Sequence, residues 1–465
     1  MKYFLIGIKG SGMSHLAYYL KQKGHDVQGS DVIQDFYTSN LLENIPIYKL
    51  EEDLPSYDIL IYSPAYKNKI DNLANAYSYP EYLALLSKES YTVAISGSHG
   101  KSSISAIVTN ILKEIKFPSA SIFGSFLQGD ELSYINNDKY LILEACEYKD
   151  HFMLYDVDIL LINNIDFEHV DYFKSLKDVE TSFYNRIIKT NPNGFIIYNS
   201  DITPSIQRAK QVRPNLNYIA YNSAAFYLEE KESTYLINGQ YELISNDVPI
   251  KLAYNYLASL IIAAILVLKE NNIIINNENI LLKIKDLVSC INSFKGLAAR
   301  CEEVKKEDNI LYIDDYAHHP SEIIEFSALV KNKYKRKQVC LFMPHTASRT
   351  KTFLKEFAQA LASFDKIIIQ NVFASARDDK DEENLSYSLY LELLKLKPSD
   401  NVKFALDDNE AVKTSISMLR ENDLCITLGA GNNRKLIDLI INERKNIWLV
   451  WQAMAIQPIK MKTSY

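Results

Sequence analysis

The sequence predicts an α/β protein with three domains, each built on a parallel sheet. Its 465 residues suffice for about three domains of ordinary size. Short apolar runs alternate with helical patterns along most of the chain, which is typical of parallel α/β sheets. Glycine-containing turns follow apolar strands near residues 10, 100 and 430. Open α/β sheets bind their ligands at turns of this kind, so the pattern also indicates where to look for function.

The first predicted domain covers residues 1–88 and is Rossmann-like. An apolar strand from Lys2 to Ile8 leads into a glycine turn that ends near Met13, and a helix follows. Lys9 occupies the second glycine position of the dinucleotide fingerprint, so NAD is only weakly indicated and another diphosphate-bearing ligand fits equally well. Asp31 follows the second strand, at the position where a ribose is usually bound.

The second predicted domain covers residues 89–293 and opens with a short phosphate-binding loop. A buried strand is predicted over 91–96 and a helix over 104–112, with Gly-Ser-His-Gly-Lys-Ser-Ser between them. Glycine N–H groups can close on phosphate oxygens, Lys101 can reach the terminal phosphates, and Ser102 can hold Mg2+. The loop therefore predicts a site for ATP or GTP. It is shorter than the usual loop, and the alternative is a tight turn with an exposed lysine.

Acidic and imidazole side chains follow the next two strands. Glu144 comes directly after the apolar run 140–143, and His169 lies beyond the run 158–162. A carboxylate at the end of a strand beside a phosphate loop can hold Mg2+, although a surface glutamate is the alternative. His169 could be a metal ligand or a phosphate contact, whereas a lone histidine is more often structural.

The third predicted domain covers residues 294–446 and is again Rossmann-like. Its four predicted strands are 310–314, 338–342, 366–370 and 423–427, and helical segments alternate with them. A glycine turn over 429–431 ends the last strand. A tail over 447–465 carries both tryptophans of the chain and receives no role.

Two polar segments follow strands of the third domain. Asp314 to Pro320 contains two carboxylates and two imidazoles and ends at a proline. It is interpreted as a ligand site or as a capped helix start, and both interpretations can hold together. Arg349 follows the next strand and can bind a carboxylate or a phosphate through its forked guanidinium.

Charge and cysteine spacing exclude several classes of protein. The net charge of −7 argues against a general nucleic-acid binder. The five cysteines show no paired metal spacing, so we expect free thiols in a reducing compartment. The N-terminal apolar run is too short for a signal peptide, and the longest apolar stretch, 257–268, is too short to span a bilayer. We therefore expect a cytoplasmic protein without membrane insertion.

Taken in order, these segments resemble the Mur ligases over residues 1–440. The run Gly97 to Ser103 is similar to the ATP loop of that family. Glu144 to Glu147 and Asn164 to His169 are similar to its Mg2+ and phosphate segments, and Asp314 to Pro320 to its Asp-Asp-Tyr-Gly-His-His-Pro segment. Further matches are His345, Ser348, Arg349 and Thr350 in its His-Arg-Tyr-Ser/Thr-Arg-Thr segment, Asn255 at its adenine contact, and Arg300 at the start of its third domain.

The resemblance implies ATP-dependent amide formation in peptidoglycan precursor synthesis. In the family, ATP phosphorylates the lactyl carboxylate of UDP-N-acetylmuramate. The amine of L-alanine then attacks the acyl phosphate and displaces phosphate. The implied cofactors are ATP and Mg2+, and the implied partners are these two small-molecule substrates.

The resemblance also implies a role for individual residues. The residues implied in catalysis are Lys101, His169, His318 and Arg349, and the implied Mg2+ ligands are Ser102, Glu144 and His169. ATP contacts fall to Gly97, Ser98, His99, Gly100, Lys101, Ser102, Ser103, Asn255, Arg300 and Asp315. Substrate contacts fall to Lys9, Gly10, Ser11, Gly12, Asp31, Ser63, His318, His345 and Arg349.

Departures from the family pattern leave two alternatives open. Thr346 and Ala347 replace an arginine and an aromatic residue, so the acceptor amino acid is the least constrained inference. One alternative is a recycling ligase that joins a murein tripeptide to UDP-N-acetylmuramate. His345 and Arg349 favour the alanine reaction, whereas Ala317 weakens the distinction. The other alternative is a catalytically degenerate paralogue that only binds the sugar nucleotide.

Overall fold

A computed structural model describes residues 1–32, 37–50, 54–69, 75–128, 134–372, 385–429, 431 and 433–455. The chain divides into two compact units, Met1–Ala298 and Ala299–Tyr465, which we call the first and the second unit. The first unit contains two parallel sheets and one small antiparallel sheet, and the second unit contains one mixed sheet. The predicted α/β class is therefore confirmed.

The N-terminal sheet of the first unit has five parallel strands. They are β1 (Lys2–Ile6), β2 (Asp26–Asp31), β3 (Ile47–Lys49), β4 (Ile59–Tyr62) and β5 (Ala76–Ser78), in the order β3-β2-β1-β4-β5. Helix α1 (Ser11–Gln22) joins β1 to β2, and α2 (Tyr79–Glu89) follows β5. Because β1 lies between β2 and β4, the glycine turn after β1 shares one edge of the sheet with Asp31 and Ser63.

The central sheet of the first unit has six parallel strands in the order β11-β10-β9-β6-β8-β7. The strands are β6 (Tyr91–Ser96), β7 (Ser119–Ile122), β8 (Tyr140–Glu144), β9 (Ile159–Ile162), β10 (Phe195–Asn199) and β11 (Asn217–Tyr221). The helices are α3 (Lys101–Glu114), α4 (Leu176–Ile188), α5 (Thr203–Val212), α6 (Ile250–Glu270) and α7 (Asn277–Leu287). Strand β6 lies between β8 and β9, so the loop after β6 is flanked by the segments that follow both neighbours.

A small antiparallel sheet follows the central strands and was not predicted from the sequence. It consists of β12 (Leu228–Lys231), β13 (Thr234–Ile237) and β14 (Tyr241–Ser245). Its apolar residues, among them Tyr235 and Ile237, join the core formed by α6 and one face of the central sheet. The sequence pattern is short and mostly polar here, which explains why it gave no signal.

Helix α6 is long and apolar, with 21 residues and a mean hydropathy of 1.9 in its most apolar window. Length and composition alone would permit a membrane span, so the sequence-based estimate of 257–268 was too short. However, 72% of that window is buried within the protein. Leu257, Ile261 and Ile265 belong to the same buried core cluster as Val93 and Ile95 of β6. The helix is therefore the centre of a protein core.

The sheet of the second unit has six strands in the order β15-β16-β20-β17-β18-β19. They are β15 (Glu302–Glu307), β16 (Ile310–Asp315), β17 (Gln338–Phe342), β18 (Lys366–Gln370), β19 (Val402–Ala405) and β20 (Leu424–Leu428). The four predicted strands are confirmed. The edge strand β15 runs antiparallel to β16 and was missed because its residues, Glu-Glu-Val-Lys-Lys-Glu, are charged, as edge strands often are.

Among the described residues, the second unit contains six α-helices. They are α8 (Pro320–Tyr334), α9 (Ala347–Thr352), α10 (Leu354–Leu361), α11 (Leu385–Leu394), α12 (Asp408–Met418) and α13 (Lys435–Ala455). Helix α13 continues through the first part of the predicted tail, so residues 447–455 are helical. The rest of the tail and residues 430 and 432 lie outside the described residues.

His15 is buried on the inner face of α1, where its ring meets Phe123 edge-on at 5.0 Å between centroids. Both ring nitrogens are buried, and within the described residues neither has a hydrogen-bond partner. Burial therefore disfavours the charged imidazolium and lowers the pKa of His15 to about 3. The side chain acts as a neutral aromatic residue of the core.

This burial predicts an acid-dependent loss of stability that His15→Leu should remove. The unfolded chain binds a proton at His15 below its ordinary pKa of 6.5, whereas the folded chain does not. Stability is thus present above pH 6.5 and lost as the pH falls toward 3. At about pH 5 the wild type should have lost about 2 kcal/mol relative to its value at neutral pH through this residue. Urea unfolding of both proteins across this range measures the difference, and identical pH dependences would contradict the prediction.

Candidate active site

The predicted phosphate loop, Gly97–Ser103, joins β6 to α3 as the sequence indicated. Gly100 caps α3 in the left-handed conformation with φ of 82°. A Cβ at this position would lie 2.6 Å from Nδ2 of Asn163, which is closer than real Cβ contacts. Only glycine satisfies both constraints. Lys101, Ser102 and Ser103 then form the first turn of α3, where backbone N–H groups point outward and favour an anion.

The residues after β9 brace this loop through side-chain amides. Asn164 accepts a hydrogen bond from the backbone N–H of His99 at 2.7 Å and donates to the carbonyl oxygen of His99 at 3.1 Å. Asn163 also donates to that carbonyl oxygen, at 3.0 Å. The imidazole of His99 pairs with Asp166 at 3.3 Å. The loop backbone is therefore held from one side by a single segment.

Asn163 links the loop to the core of the central sheet. Its Nδ2 donates to Oδ1 of Asn255 on α6 at 3.1 Å, and its Oδ1 accepts from the hydroxyl of Tyr221 at 2.6 Å. Asn255, predicted to contact adenine, is thus buried beside the loop at Gly100. Neither Asn163 nor Tyr221 was proposed from the sequence, since an amide at a strand end gives no distinctive signal.

Lys101 forms an ion pair with Glu147, whose side chain is fully buried. Lys101 Nζ lies 3.2 Å from Oε2 of Glu147 and donates to the carbonyl oxygens of Gly97 at 2.6 Å and Ser98 at 3.1 Å. Burial alone would lower the pKa of Lys101, but Glu147 and neighbouring acidic groups outweigh it and raise the pKa. The pKa of Glu147 is lowered because Lys101 and His169 outweigh its own burial. Both groups are therefore charged.

Glu147 is a site residue that sequence reasoning did not assign. It is the second carboxylate of the Glu-Ala-Cys-Glu segment, in which only the first received a role. The signal was present in the family resemblance, but only the structure shows that this carboxylate turns inward to meet the lysine.

Ser102 and Glu144, two of the predicted Mg2+ ligands, are in direct contact. The Ser102 hydroxyl donates to Oε2 of Glu144 at 2.9 Å, and the backbone N–H of Gly124 donates to the same oxygen at 2.8 Å. A hydroxyl and a carboxylate are hard oxygen donors, as Mg2+ prefers. The donor set beside the phosphate loop therefore fits Mg2+.

His169, the third predicted metal ligand, has a different set of contacts. Its Nε2 lies 3.6 Å from Oε1 of Glu147 and 3.9 Å from Sγ of Cys146. The ring of Tyr148 covers the imidazole at 4.8 Å between centroids. His169 also adopts a left-handed backbone with φ of 53°, which is unusual for a non-glycine residue.

The glycine turn after β1 is organised by Asp31. The carboxylate of Asp31 accepts from the backbone N–H of Lys9 at 2.6 Å and from the hydroxyl of Tyr66 at 3.3 Å. Asp31 thus shapes the turn itself, in addition to any contact with a ligand. Ser63 lies at the end of β4, where its N–H donates to the carbonyl oxygen of Ile6 at 2.9 Å.

The start of α1 approaches the edge of the central sheet within the first unit. Gly10 is the N-cap of α1, and a Cβ at Gly12 would lie 2.7 Å from the hydroxyl of half-buried Tyr79. A Cβ at Gly124 would lie 3.6 Å from Oγ of Ser11 and 3.4 Å from Oε2 of Glu144. The predicted sugar-nucleotide turn therefore lies close to the carboxylate of Glu144, a predicted Mg2+ ligand.

In the second unit, the predicted residues His318, His345 and Arg349 form one cluster. The imidazoles of His318 and His345 meet edge-on at 5.5 Å, and Arg349 Nη1 lies 3.4 Å from Nδ1 of His345. Glu322 joins them, 3.4 Å from Nδ1 of His318 and 3.6 Å from Nη1 of Arg300. Burial lowers the pKa of His318 well below its usual value, so this ring is neutral at physiological pH.

The two aspartates before this cluster are buried and have structural partners. Asp315 accepts from the backbone N–H groups of Cys301 and Ala317, each at 2.7 Å, and burial raises its pKa to about 6. Asp314 accepts from the hydroxyl of Thr427 at 2.6 Å, and burial raises its pKa to about 7. The capped helix start is also present, since Pro320 opens α8. A contact of Asp315 with nucleotide stays a prediction.

Comparisons with known proteins agree with this arrangement. Three family models match in succession: the catalytic domain of the Mur ligase family over residues 2–87, the Mur ligase middle domain over 95–263, and the glutamate ligase domain of Mur ligases over 299–431. A relative from Borreliella burgdorferi, named UDP-N-acetylmuramate–L-alanine ligase, is 34% identical, and the alignment covers 94% of this chain and 98% of the relative.

Two solved structures show the same fold. The UDP-N-acetylmuramate-alanine ligase MurC from Thermotoga maritima matches with a TM-score of 0.73 at 20% identity, covering 96% of this chain and 99% of that chain. The MurF ligase of Thermotoga maritima, solved in complex with ADP, matches with a TM-score of 0.55 at 15% identity, covering 90% of this chain and 94% of that chain.

The brace at Asn163 predicts a large loss of stability for Asn163→Leu. The apolar side chain would leave the hydroxyl of Tyr221 and Oδ1 of Asn255 without their side-chain partner in a buried region, and it would remove one of the two amide donors to the His99 carbonyl oxygen. We expect the free energy of unfolding to fall by about 3 kcal/mol. Tyr221→Phe removes one of these hydrogen bonds and should cost about 1 kcal/mol. Urea unfolding measures both, and equal effects of the two variants would contradict the role of Asn163 as a link between loop and core.

Proposed function

This chain belongs to the Mur ligase family, and we propose that it joins L-alanine to the lactyl carboxylate of UDP-N-acetylmuramate at the expense of ATP. The observation that carries the proposal is the phosphate loop with Lys101 held beside the Ser102–Glu144 pair. The relative of that name, similar over nearly the whole chain, supports the choice of substrates. The enzyme serves peptidoglycan synthesis, and its free cysteines are in keeping with work in the cytoplasm.

ATP is bound by the loop between β6 and α3. The N–H groups at the start of α3 hold phosphate oxygens, and Lys101 stabilises the charge on the transferring phosphoryl group. Glu147 keeps the ammonium group of Lys101 in place at 3.2 Å. Ser102, Glu144 and His169 would hold Mg2+, which neutralises phosphate charge when bound. In this proposal the adenine contact of Asn255 and the nucleotide contacts of Arg300 and Asp315 remain as the sequence predicted them.

The reaction requires activation because a carboxylate is a poor electrophile. An oxygen of the lactyl carboxylate attacks the γ-phosphorus, the bond to the β-phosphate oxygen breaks, and ADP leaves. The amine of L-alanine attacks the carbonyl carbon of the acyl phosphate and loses a proton, and inorganic phosphate leaves. The turn with Lys9, Gly10, Ser11 and Gly12, together with Asp31 and Ser63, holds the UDP end of the substrate.

The cluster of the second unit binds the amino acid. Arg349 is a fixed cation with a forked guanidinium, which suits the carboxylate of L-alanine. His345 supports Arg349 at 3.4 Å. His318 is neutral at physiological pH, so it can accept a hydrogen bond from the amine or take up its proton.

Phosphate release with ATP and UDP-N-acetylmuramate, against a panel of acceptors, tests the proposed function. L-Alanine should support the highest kcat/KM, ahead of glycine and L-serine, and a murein tripeptide should give no release. Lys101→Ala should reduce the rate at least about 100-fold, because the developing charge loses its cation. Lys113→Ala at the far end of α3 is the matched control.

Three results of this assay would contradict the proposed acceptor, the proposed catalytic activity or the proposed phosphate loop. Release with tripeptide alone would identify a recycling ligase. No release with any acceptor would identify a degenerate paralogue. Full activity of Lys101→Ala would refute the assignment of the phosphate loop.

The assignment of Arg349 predicts a specific defect in L-alanine binding. Arg349→Lys keeps the charge but loses the fork, and we expect KM for L-alanine to rise ~10- to 100-fold. KM for ATP should change little. Steady-state kinetics with each substrate varied in turn measures this, with Arg336→Lys, which lies outside the cluster, as control. A rise confined to KM for UDP-N-acetylmuramate would place Arg349 at a different substrate.

A further inference from the structure

Three side chains beside the phosphate loop combine the donor atoms of a transition-metal site. The thiol of Cys146, the carboxylate of Glu147 and the imidazole of His169 place one ligand atom each within 4.8 Å of one another. All three follow strands of the central sheet in the first unit, Cys146 and Glu147 after β8 and His169 after β9. Of the three predicted Mg2+ ligands, Ser102 and Glu144 lie outside this set and His169 belongs to it.

The donor chemistry differs from that of the Mg2+ pair. Mg2+ selects oxygen ligands, whereas a thiolate with an imidazole and a carboxylate is a set that Zn2+ and Co2+ prefer. In a tetrahedral Zn2+ site, ligand distances of about 2.0–2.3 Å place neighbouring donor atoms ~3.3–3.6 Å apart. The observed separations are 3.9 Å between Cys146 Sγ and His169 Nε2 and 3.6 Å between His169 Nε2 and Glu147 Oε1. Small side-chain movements would close the set around an ion.

One buried oxygen atom points independently to a ligand. Glu147 is fully buried, and its Oε2 is used by Lys101. Its Oε1 has no hydrogen-bond donor among the described residues and faces His169. A buried carboxylate oxygen without a hydrogen bond is costly, and a cation bound there would satisfy it.

The imidazole is held in place for such a role. Tyr148 covers the ring of His169, and the hydroxyl of Tyr148 donates to Asp171 at 2.6 Å. Asp171 and His169 lie on the same short segment, so the covering ring is anchored beside the residue that it orients. A fixed imidazole loses little freedom on binding a metal ion.

We propose that Cys146, Glu147 and His169 form a site for a thiophilic divalent ion, Zn2+ in the first instance, which shares only His169 with the predicted Mg2+ ligands. Three protein ligands leave the fourth tetrahedral position open. Because Glu147 also holds Lys101, an ion at this site adds positive charge next to the phosphoryl-transfer lysine and withdraws His169 from nucleotide chemistry. Zn2+ bound here therefore inhibits the ligase reaction.

Binding of Co2+ to the metal-free, full-length protein tests the site without nucleotide or turnover. The wild type should bind one Co2+ and show thiolate-to-cobalt charge-transfer absorption, and Zn2+ but not excess Mg2+ should abolish the band. Cys146→Ser should lose the band and weaken Zn2+ binding at least about tenfold. Cys290→Ser, a matched cysteine outside the cluster, should retain both. Circular dichroism verifies that each variant is folded.

A second readout connects the site to the enzyme. At saturating Mg2+, Zn2+ should inhibit phosphate release by the wild type and by Cys290→Ser, and Cys146→Ser should resist that inhibition. Absence of the charge-transfer band in the wild type, or its persistence in Cys146→Ser, would overturn the proposal. Inhibition that is identical in all three proteins would show that Zn2+ acts elsewhere and would overturn the inhibitory role.

Discussion

The buried ion pair between Lys101 and Glu147 is the interaction on which the organisation of the first unit's site depends. Lys101 is the first residue of α3, so its positive charge is disfavoured by the positive end of the helix dipole. Removal from water disfavours the charge as well. A partner carboxylate is therefore required, and β8 supplies it from the neighbouring strand. The same strand end provides Glu144 for Ser102, so one short segment positions both the lysine proposed for phosphoryl transfer and the pair proposed to hold Mg2+.

The cluster of the second unit shows a different use of burial. Burial lowers the pKa of His318 and raises the pKa values of Asp314 and Asp315. These three side chains therefore carry less charge in the folded protein than they would in water. The guanidinium groups of Arg300 and Arg349 remain charged under all physiological conditions. Glu322 offsets part of that charge, and the cluster as a whole favours an anionic ligand.

The sequence predicted those parts of the protein that depend on local residue patterns, such as strands, glycine loops and helices. The strand, loop and helix around Gly97–Ser103 followed from periodicity, and the contact of Ser102 with Glu144 followed from the shared edge of parallel strands. Residues whose role depends on tertiary contacts could not be identified from the sequence. Glu147 looked like any acidic loop residue until its inward direction was known, and Asn163 and Tyr221 are ordinary in sequence. Asp31 and Asp315 were predicted to contact ligands. The structure shows that both also accept hydrogen bonds from backbone N–H groups, which the sequence pattern did not indicate.

The position of α6 has a consequence for how the chain is made. All six strands of the central sheet precede it, since β11 ends at Tyr221 and α6 ends only at Glu270. Val93, Ile95 and Ile142 lie in one apolar core with residues of α3 and α6. During synthesis α3 is present before the sheet is complete, whereas α6 is made only after the last strand, and the emerging α6 is itself apolar on nearly every side. The interval between Tyr221 and Glu270 is therefore one in which the nascent chain exposes core surface that α6 later buries, and in which it needs protection from aggregation.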